Sequence, residues 1–400
     1  MSPILPFDVI EVIIDIVGEN RDTDLLKELA LVSHSLHQIC IKHLFANIDL
    51  HDADPNCRLV SSKNGFVQLL KSRPHLVKYI RKIKYEAGHN HDDHLLSPIL
   101  LNFLPTTSRL NCLEINASNW DWNILDASLT SAFLHLISLP TINHIALSFV
   151  KKFPLSILTS SVNLLRLDMK FMTSLEHMEE DNHFKTVESE MLPKIREFHT
   201  SNSRRLTKKL LHVKGQDGRQ IFDFTDLRQL SIIFADFEDK RNIQCLLEKA
   251  KLLERLHLSV DSFRLSLVGI LSTSARTLKV LDLTIPMSFR GVPPLAGAVG
   301  LCEELKVMAG HNSLEALSVK FEVIEFLYLT EDAVGSTIQE VGNVLVEPGW
   351  PSLRQVSFKL YCGGSTVLFK ALQSLPDKYL SRLSKLDSVA FNYLAYLDYY

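Results

Sequence analysis

Leu253-Glu254-Arg255-Leu256-His257-Leu258 and Leu278-Lys279-Val280-Leu281-Asp282-Leu283 are two copies of one pattern. Apolar residues stand at i, i+3 and i+5. The last two are two residues apart, the period of one face of a β-strand, and the first anchors the turn before it. The pattern recurs upstream at Ile80/Ile83/Tyr85, Leu110/Leu113/Ile115, Ile142/Ile145/Leu147, Val162/Leu165/Leu167 and Leu227/Leu230/Ile232. It recurs downstream at Leu314/Leu317/Val319, Leu353/Val356/Phe358 and Leu386/Val389/Phe391, with an imperfect copy at Ile195/Phe198/Thr200. A fixed motif repeated this often implies one short strand per copy, with a returning segment between copies.

The copies begin 20 (Ile142 to Val162) to 39 residues apart (Leu314 to Leu353). Much of the intervening sequence is helical in character: 127–139, 242–252, 262–274, 295–309, 331–345 and 366–375. Strands alternating with helices predict an α/β fold with parallel pairing. If i+3 and i+5 point inward, the residues at i+2, i+4 and i+6 line the open side of the sheet. That row holds Arg166 and Asp168, then Glu197 and His199, then Arg255 and His257, then Asp282, Lys320 and Lys359. These are candidate target-binding residues; taken one at a time they are also ordinary solvated strand positions.

Over residues 76–400 the repeat resembles the leucine-rich repeats. That resemblance implies an irregular solenoid with parallel strands and convex helices, able to hold a protein on its concave face. The family's Asn, three residues past the last motif Leu, is missing; Ser118, Ala235, Asp261 and Pro286 stand there instead.

The N-terminal stretch has a different period. In Pro6-Phe-Asp-Val-Ile-Glu-Val-Ile-Ile-Asp-Ile-Val17 only Asp8, Glu11 and Asp15 are polar, and at helical spacing they share one stripe. Such a helix has more apolar surface than its own small domain can cover. Pro6 suits its first turn, and Gly18 is expected to stop it. A second helix is expected from Thr23, capped by Asp22 or Thr23. A third starts near Ser33–Ser35, where Ser35 to Gln38 has capping-box spacing.

Leu5-Pro6, Val9-Ile10, Ile13-Ile14, Val17, Leu26, Leu29 and Leu31-Val32-Ser33-His34-Ser35, closing with His43-Leu44-Phe45, resemble an F-box, most closely the fungal F-box-like family. That family usually has Trp where this chain has Leu36. The resemblance implies residues 1–50 as an F-box-like module, 51–75 as a linker with a short helix, and the repeat array beyond. It implies docking on a Skp-type adaptor, and through it a cullin, by Leu5, Pro6, Val9, Ile10 and Ile13. Ile14, Val17, Leu29 and Val32 complete the implied set. The chain is then expected to be a non-catalytic substrate receptor of an SCF-type ubiquitin ligase, intracellular, in cytoplasm or nucleus, with an unknown target protein. The alternative is a free-standing repeat scaffold closed by a helical cap.

Composition agrees with an ordinary globular chain: 46% apolar, 22% charged, formal net charge −3. No basic field points to nucleic acid or anionic membrane. The six cysteines are scattered, without the paired spacing of a zinc finger or redox motif, which suits reduced thiols. No apolar run reaches 18 residues, so no membrane span is expected. His89-Asn-His-Asp-Asp-His94 tempts metal binding and would make the chain an enzyme candidate, but a solvated loop is the simpler reading, and no cofactor is expected. The acidic 176–190 and basic 204–214 segments read as solvated loops. No HExxH, GxSxG, GxGxxG or CxxC occurs, and no Ser or Cys has a base at recognisable spacing. The aromatic C-terminus (Phe391, Tyr393, Tyr396, Tyr399, Tyr400) is expected to cover the last strand.

Overall fold

A computed structural model describes residues 6–51, 63–87, 100–101, 109–117, 120–173, 192–212, 220–234, 237–260, 267–287, 296–323, 331–363 and 366–398. The fold is α/β; the described residues hold twelve strands, and the chain divides into two compact units, Met1–Pro193 and Lys194–Tyr400.

The first unit opens with three helices: α1 (Phe7–Glu19), α2 (Thr23–Val32) and α3 (His34–Leu44). Asp22 caps α2 by accepting from the Leu25 N–H at 3.1 Å. Ser33, not Ser35, caps α3, accepting from the Leu36 N–H at 3.2 Å. Gly18 does not end α1, which runs on to Glu19; Arg21, with φ of 57°, takes the left-handed turn that follows. A Cβ on Gly18 would collide with the His43 ring, so this glycine lets α3 approach closely. Ile14, Leu26, Ile39 and Cys40 form the module's core, with Ile10, Val17, Leu29 and Leu36 packed partly against it.

The sheet begins directly after α3. Strands β1 (Asn47–Leu50), β2 (Lys82–Glu86), β3 (Cys112–Asn116), β4 (His144–Ser148) and β5 (Arg166–Lys170) pair in chain order, all parallel. β1 extends the motif by one copy, Phe45/Ile48/Leu50, hidden in sequence by the helical run before it. Helix α4 (Lys63–Ser72) lies where the sequence places it. Parallel neighbours cannot be joined by tight turns, and the described returning segments include the helix Ala127–Ile137 and the 3₁₀ segment Leu155–Ser160. Tyr85 and Phe133 meet edge to face at 5.0 Å, as do Trp122 and Phe153 at 4.8 Å.

In the second unit the strands are β6 (Glu197–Ser201), β7 (Gln229–Phe234), β8 (Arg255–Val260), β9 (Val280–Met287), β10 (Ala316–Val323), β11 (Gln355–Gly363) and β12 (Ala390–Asp398). They too are parallel and in chain order. Phe321, Phe358 and Phe391, on three adjacent strands and each stepped two residues from its neighbour in register, meet edge to face. Helices occupy Phe237–Lys249, Ala296–Met308, Glu331–Val346 and Thr366–Gln373, close to the expected spans. Of the expected 262–274 helix the described residues hold only the 3₁₀ turn Leu271–Ser274. The basic stretch is a correction: Arg204–His212 is an amphipathic helix, because Leu206, Leu210 and Leu211 share one buried face beneath its charges. Glu304 is a buried charge with a purpose. Its carboxylate accepts backbone N–H groups from Gly269, Leu271 (2.7 Å) and Ser272 (3.0 Å), pinning the turn before β9.

Along most strands burial alternates, buried at i+3 and i+5 and partly open at i+2, i+4 and i+6; on β5 the pattern lies two residues later than the Val162/Leu165/Leu167 copy, with Leu164, Leu167 and Met169 buried and Val162 and Leu165 partly open. β9 departs from this, being buried from Leu283 to Met287. The C-terminal aromatics are not a cover over the last strand; Phe391, Tyr393 and Tyr396 are part of it. Tyr393 donates to the Leu372 carbonyl at 2.6 Å, and Tyr396 stacks on Tyr361. Tyr399 and Tyr400 lie outside the described residues.

Candidate functional site

Helix α1 presents three faces. Ile10, Ile14 and Val17 turn toward α2 and α3. Of the acidic stripe, Asp8 is exposed, while Glu11 and Asp15 are half-exposed and paired. Glu11 accepts from Lys42 at 2.9 Å, and Asp15 meets Lys42 at 3.3 Å and His43 at 2.6 Å, so these two acids are clasped by the last turn of α3. Burial alone would raise the Asp15 carboxyl, but the hydrogen bonds from His43 and Lys42 outweigh it and hold the group below its ordinary value. The third face is aliphatic and open: Val9, Val12, Ile13 and Ile16 are 42%, 58%, 46% and 53% exposed. Phe7 is exposed beside them, and Leu25, Leu31 and Val32 are exposed on α2.

Of the residues expected to meet an adaptor, Pro6, Val9, Ile13 and Val32 are therefore exposed. Ile10, Val17 and Leu29 are shared with the module's own core. Ile14 is 1% exposed and has no surface to offer a partner. Leu5 lies outside the described residues. Phe7, Val12, Ile16, Leu25 and Leu31 were missed, although Val9, Val12, Ile13 and Ile16 carry a plain i, i+3, i+4, i+7 spacing.

A second cluster lies on the partly open side of the first unit's sheet. Lys82, Cys112, His144 and Arg166 are register neighbours on β2 to β5, and Glu114, Ala146 and Asp168 are neighbours two residues along. Lys82 Nζ meets Glu114 at 2.5 Å. Cys112 Sγ lies 3.1 Å from His144 Nδ1, and His144 Nε2 lies 3.0 Å from Asp168 Oδ2. Arg166 donates to the same carboxylate from Nε and a terminal nitrogen, 3.1 Å at the closest to Oδ2. The proton arrangement that satisfies all of these has the thiol donating to Nδ1 and Nε2–H donating to Asp168.

Cysteine, histidine and carboxylate in line have the geometry of a nucleophilic triad. The thiol does not have the chemistry of one. Burial, reinforced by the Glu114 charge, pushes Cys112 up to about 12, so at neutral pH it is a protonated hydrogen-bond donor. Cys112, Glu114 and His144 also form a group whose ligand atoms all lie within 4.8 Å of one another. No sequence spacing signals this cluster, because its members are 32 and 24 residues apart. The signal is the repeat register once the β5 copy is taken as Leu164/Leu167/Met169, two residues later than the sequence pattern places it; Cys112, His144 and Arg166 then stand at i+2 and Glu114 and Asp168 at i+4.

The residues expected on the open face divide between the two units. Arg166 and Asp168 pair with each other in the first. In the second, Glu197 and His199 are half-buried, Arg255 and His257 are exposed, and His257 is the register neighbour of Asp282. Lys320 and Lys359 are register neighbours, and Lys320 Nζ also meets Glu322 at 2.6 Å and lies 4.1 Å from the Tyr361 ring centroid. Arg166 and Lys320 thus already have carboxylate partners. The His89–His94 segment and the 176–190 acidic stretch lie outside the described residues. No described helix is long and apolar enough to cross a membrane. No family model and no curated protein matches the chain.

Proposed function

We propose that the chain is the substrate-recognition subunit of an SCF-type ubiquitin ligase, with residues 76–400 as a leucine-rich-repeat-like solenoid. The observation that carries this is the open aliphatic face of α1. A cap serving only its own fold hides apolar side chains and shows charge to water. Here two of the three acids, Glu11 and Asp15, are drawn to Lys42 and His43, and the aliphatic side chains are outward. That arrangement fits a helix built to be covered by a second protein, and the F-box resemblance supplies the partner, a Skp-type adaptor that reaches a cullin. Strand burial that alternates along all but a few strands supports a sheet covered on one side, with the other side left for a target. The chain itself is non-catalytic. It holds the target near the charged ubiquitin carrier and raises the effective concentration of a target lysine there.

One observation favours a free-standing scaffold instead. β1 follows α3 at once, and the Ala46 carbonyl accepts from Arg81 and Lys82 N–H, both at 2.9 Å, as in a helical cap continuous with its sheet. Co-purification with the host's Skp-type adaptor separates the two. A stable one-to-one complex is expected. A folded chain that stays alone at micromolar adaptor overturns the ligase proposal and leaves the scaffold.

A further inference from the structure

We propose that Cys112, Glu114 and His144 form a binding site for one zinc-class divalent metal ion on the open side of the first unit's sheet, with a fourth coordination position left to an exogenous ligand. The inference stands apart from the adaptor-docking proposal and uses none of the residues of α1 to α3; of the candidate target-binding row it shares Arg166 and Asp168.

The donor set is the first ground. A thiolate, an imidazole and a carboxylate together are the ligand types zinc accepts, and softer or harder ions want more sulfur or more oxygen. Geometry is the second. All three donor atoms lie within 4.8 Å of one another. In a tetrahedral zinc site a sulfur and a nitrogen ligand are about 3.5 Å apart. Cys112 Sγ and His144 Nδ1 are 3.1 Å apart around a shared proton. Replacing that proton with a metal requires the pair to open by only about 0.4–0.5 Å.

The surroundings of the ligands are the third ground, and the one a chance cluster lacks. Metal-bound histidines donate their other ring N–H to a carboxylate, which fixes the tautomer and aims the free nitrogen. His144 does this: Nε2 is 3.0 Å from Asp168, leaving Nδ1 directed at Cys112. Asp168 is itself held by the Arg166 fork, and Glu114 is held by Lys82. All of these residues stand on neighbouring strands, the most rigid placement the fold offers. Ala146, the register neighbour between Glu114 and Asp168, contributes only a methyl group. No fourth side-chain donor joins the group among the described residues. Three protein ligands and an open position are the form of a site that binds a further group rather than a closed structural knot.

Cobalt titration of the full-length chain, stripped with chelator, tests this. One Co²⁺ per chain is expected, with a thiolate-to-cobalt charge-transfer band and visible bands of tetrahedral intensity, displaced by one equivalent of Zn²⁺. Cys112→Ser should abolish the charge-transfer band, and His144→Gln or Glu114→Gln should weaken binding at least tenfold. Asp168→Asn should weaken it about 10- to 100-fold while keeping the band, the mark of a positioning residue. His91→Ala, in the separate histidine-rich segment, should leave the titration unchanged. Far-ultraviolet circular dichroism confirms that each variant is folded; should one ligand variant fail that check, the other two carry the test. The proposal is overturned if the folded wild type binds no stoichiometric metal. It is equally overturned if the binding survives the folded ligand variants, or disappears in His91→Ala.

Discussion

Replacing Val12 with Lys and Ile16 with Gln tests the open face of α1 with its fold intact. Both side chains are more than half exposed, at 58% and 53%, and neither belongs to the Ile14/Leu26/Ile39/Cys40 core. The substitutions should therefore change stability by no more than about 0.5 kcal/mol. Lys at position 12 stands four residues after Asp8, a favourable helical pair, and Gln is a good helix former. Binding is affected very differently. Fully burying Val or Ile is worth about 1.5–3 kcal/mol, so covering the exposed half of each contributes roughly 2–3 kcal/mol for the pair. A lysine head forced under a partner adds about 1–2 kcal/mol more. A loss of about 4 kcal/mol is close to a thousandfold in affinity. Calorimetric titration of adaptor into wild type and double variant reads this directly, with thermal melts alongside. Ile14→Ala gives the opposite result: a core truncation worth about 2–4 kcal/mol, seen in the melt of the helical module. If the double variant binds the adaptor as wild type does, the aliphatic face is not the docking surface.

Gly18→Ala should loosen the α1–α3 clasp, because the new methyl falls on the His43 ring; the two-dimensional NMR signal of His43 should move while the β-sheet resonances stay. Glu304→Ala removes the acceptor of three backbone N–H groups and should cost about 3–5 kcal/mol, read as lost hydrogen-exchange protection at Leu271 and Ser272. The Asp15 clasp should show in pH-dependent stability. The folded carboxyl titrates below its ordinary value of 3.8, so its stabilisation is present above that value and is lost as pH falls through the folded one. Lys42 is held up, first by the hydrogen bond it donates to Glu11 and against the pull of burial, so its share is complete below 10.5 and lost in stronger alkali. Melting curves of wild type and Asp15→Asn should thus differ at pH 6 and converge in strong acid.

The strands were legible because i, i+3, i+5 is a local pattern whose two inward positions must be buried for the strand to exist. Leu256 and Leu258, or Leu281 and Leu283, leave no other register. β1 escaped because Phe45, Ile48 and Leu50 continue an apolar run already assigned to a helix. Ser35 has the capping-box spacing, but Ser33 caps α3, since the extended backbone at Ser33 aims its hydroxyl at the Leu36 N–H. The helix at Arg204–His212 was masked by charge: its lysines and arginines dominate composition, yet Leu206, Leu210 and Leu211 decide its burial. The open face of α1 was half legible. The apolar excess was plain, but which side would be spent inside depended on Lys42 and His43, some thirty residues away. The Cys112–His144–Asp168 line is a product of register alone, and needs three strands laid side by side before it exists.

Among the described residues, the strands of the second unit run from five residues in β6 to nine in β11 and β12. At about 3.3 Å per residue, the ribbon widens from roughly 17 Å to roughly 30 Å. Glu322, Tyr361 and Tyr396 belong to a tier that β6 is too short to possess. A molecule lying across the strands therefore meets a graded surface, narrow and polar at one end, broad and aromatic at the other. Turned end for end, the same molecule would place its widest part where there is least sheet to receive it. The gradient gives this face a head and a tail, so that orientation is selected by geometry before any single side chain is consulted.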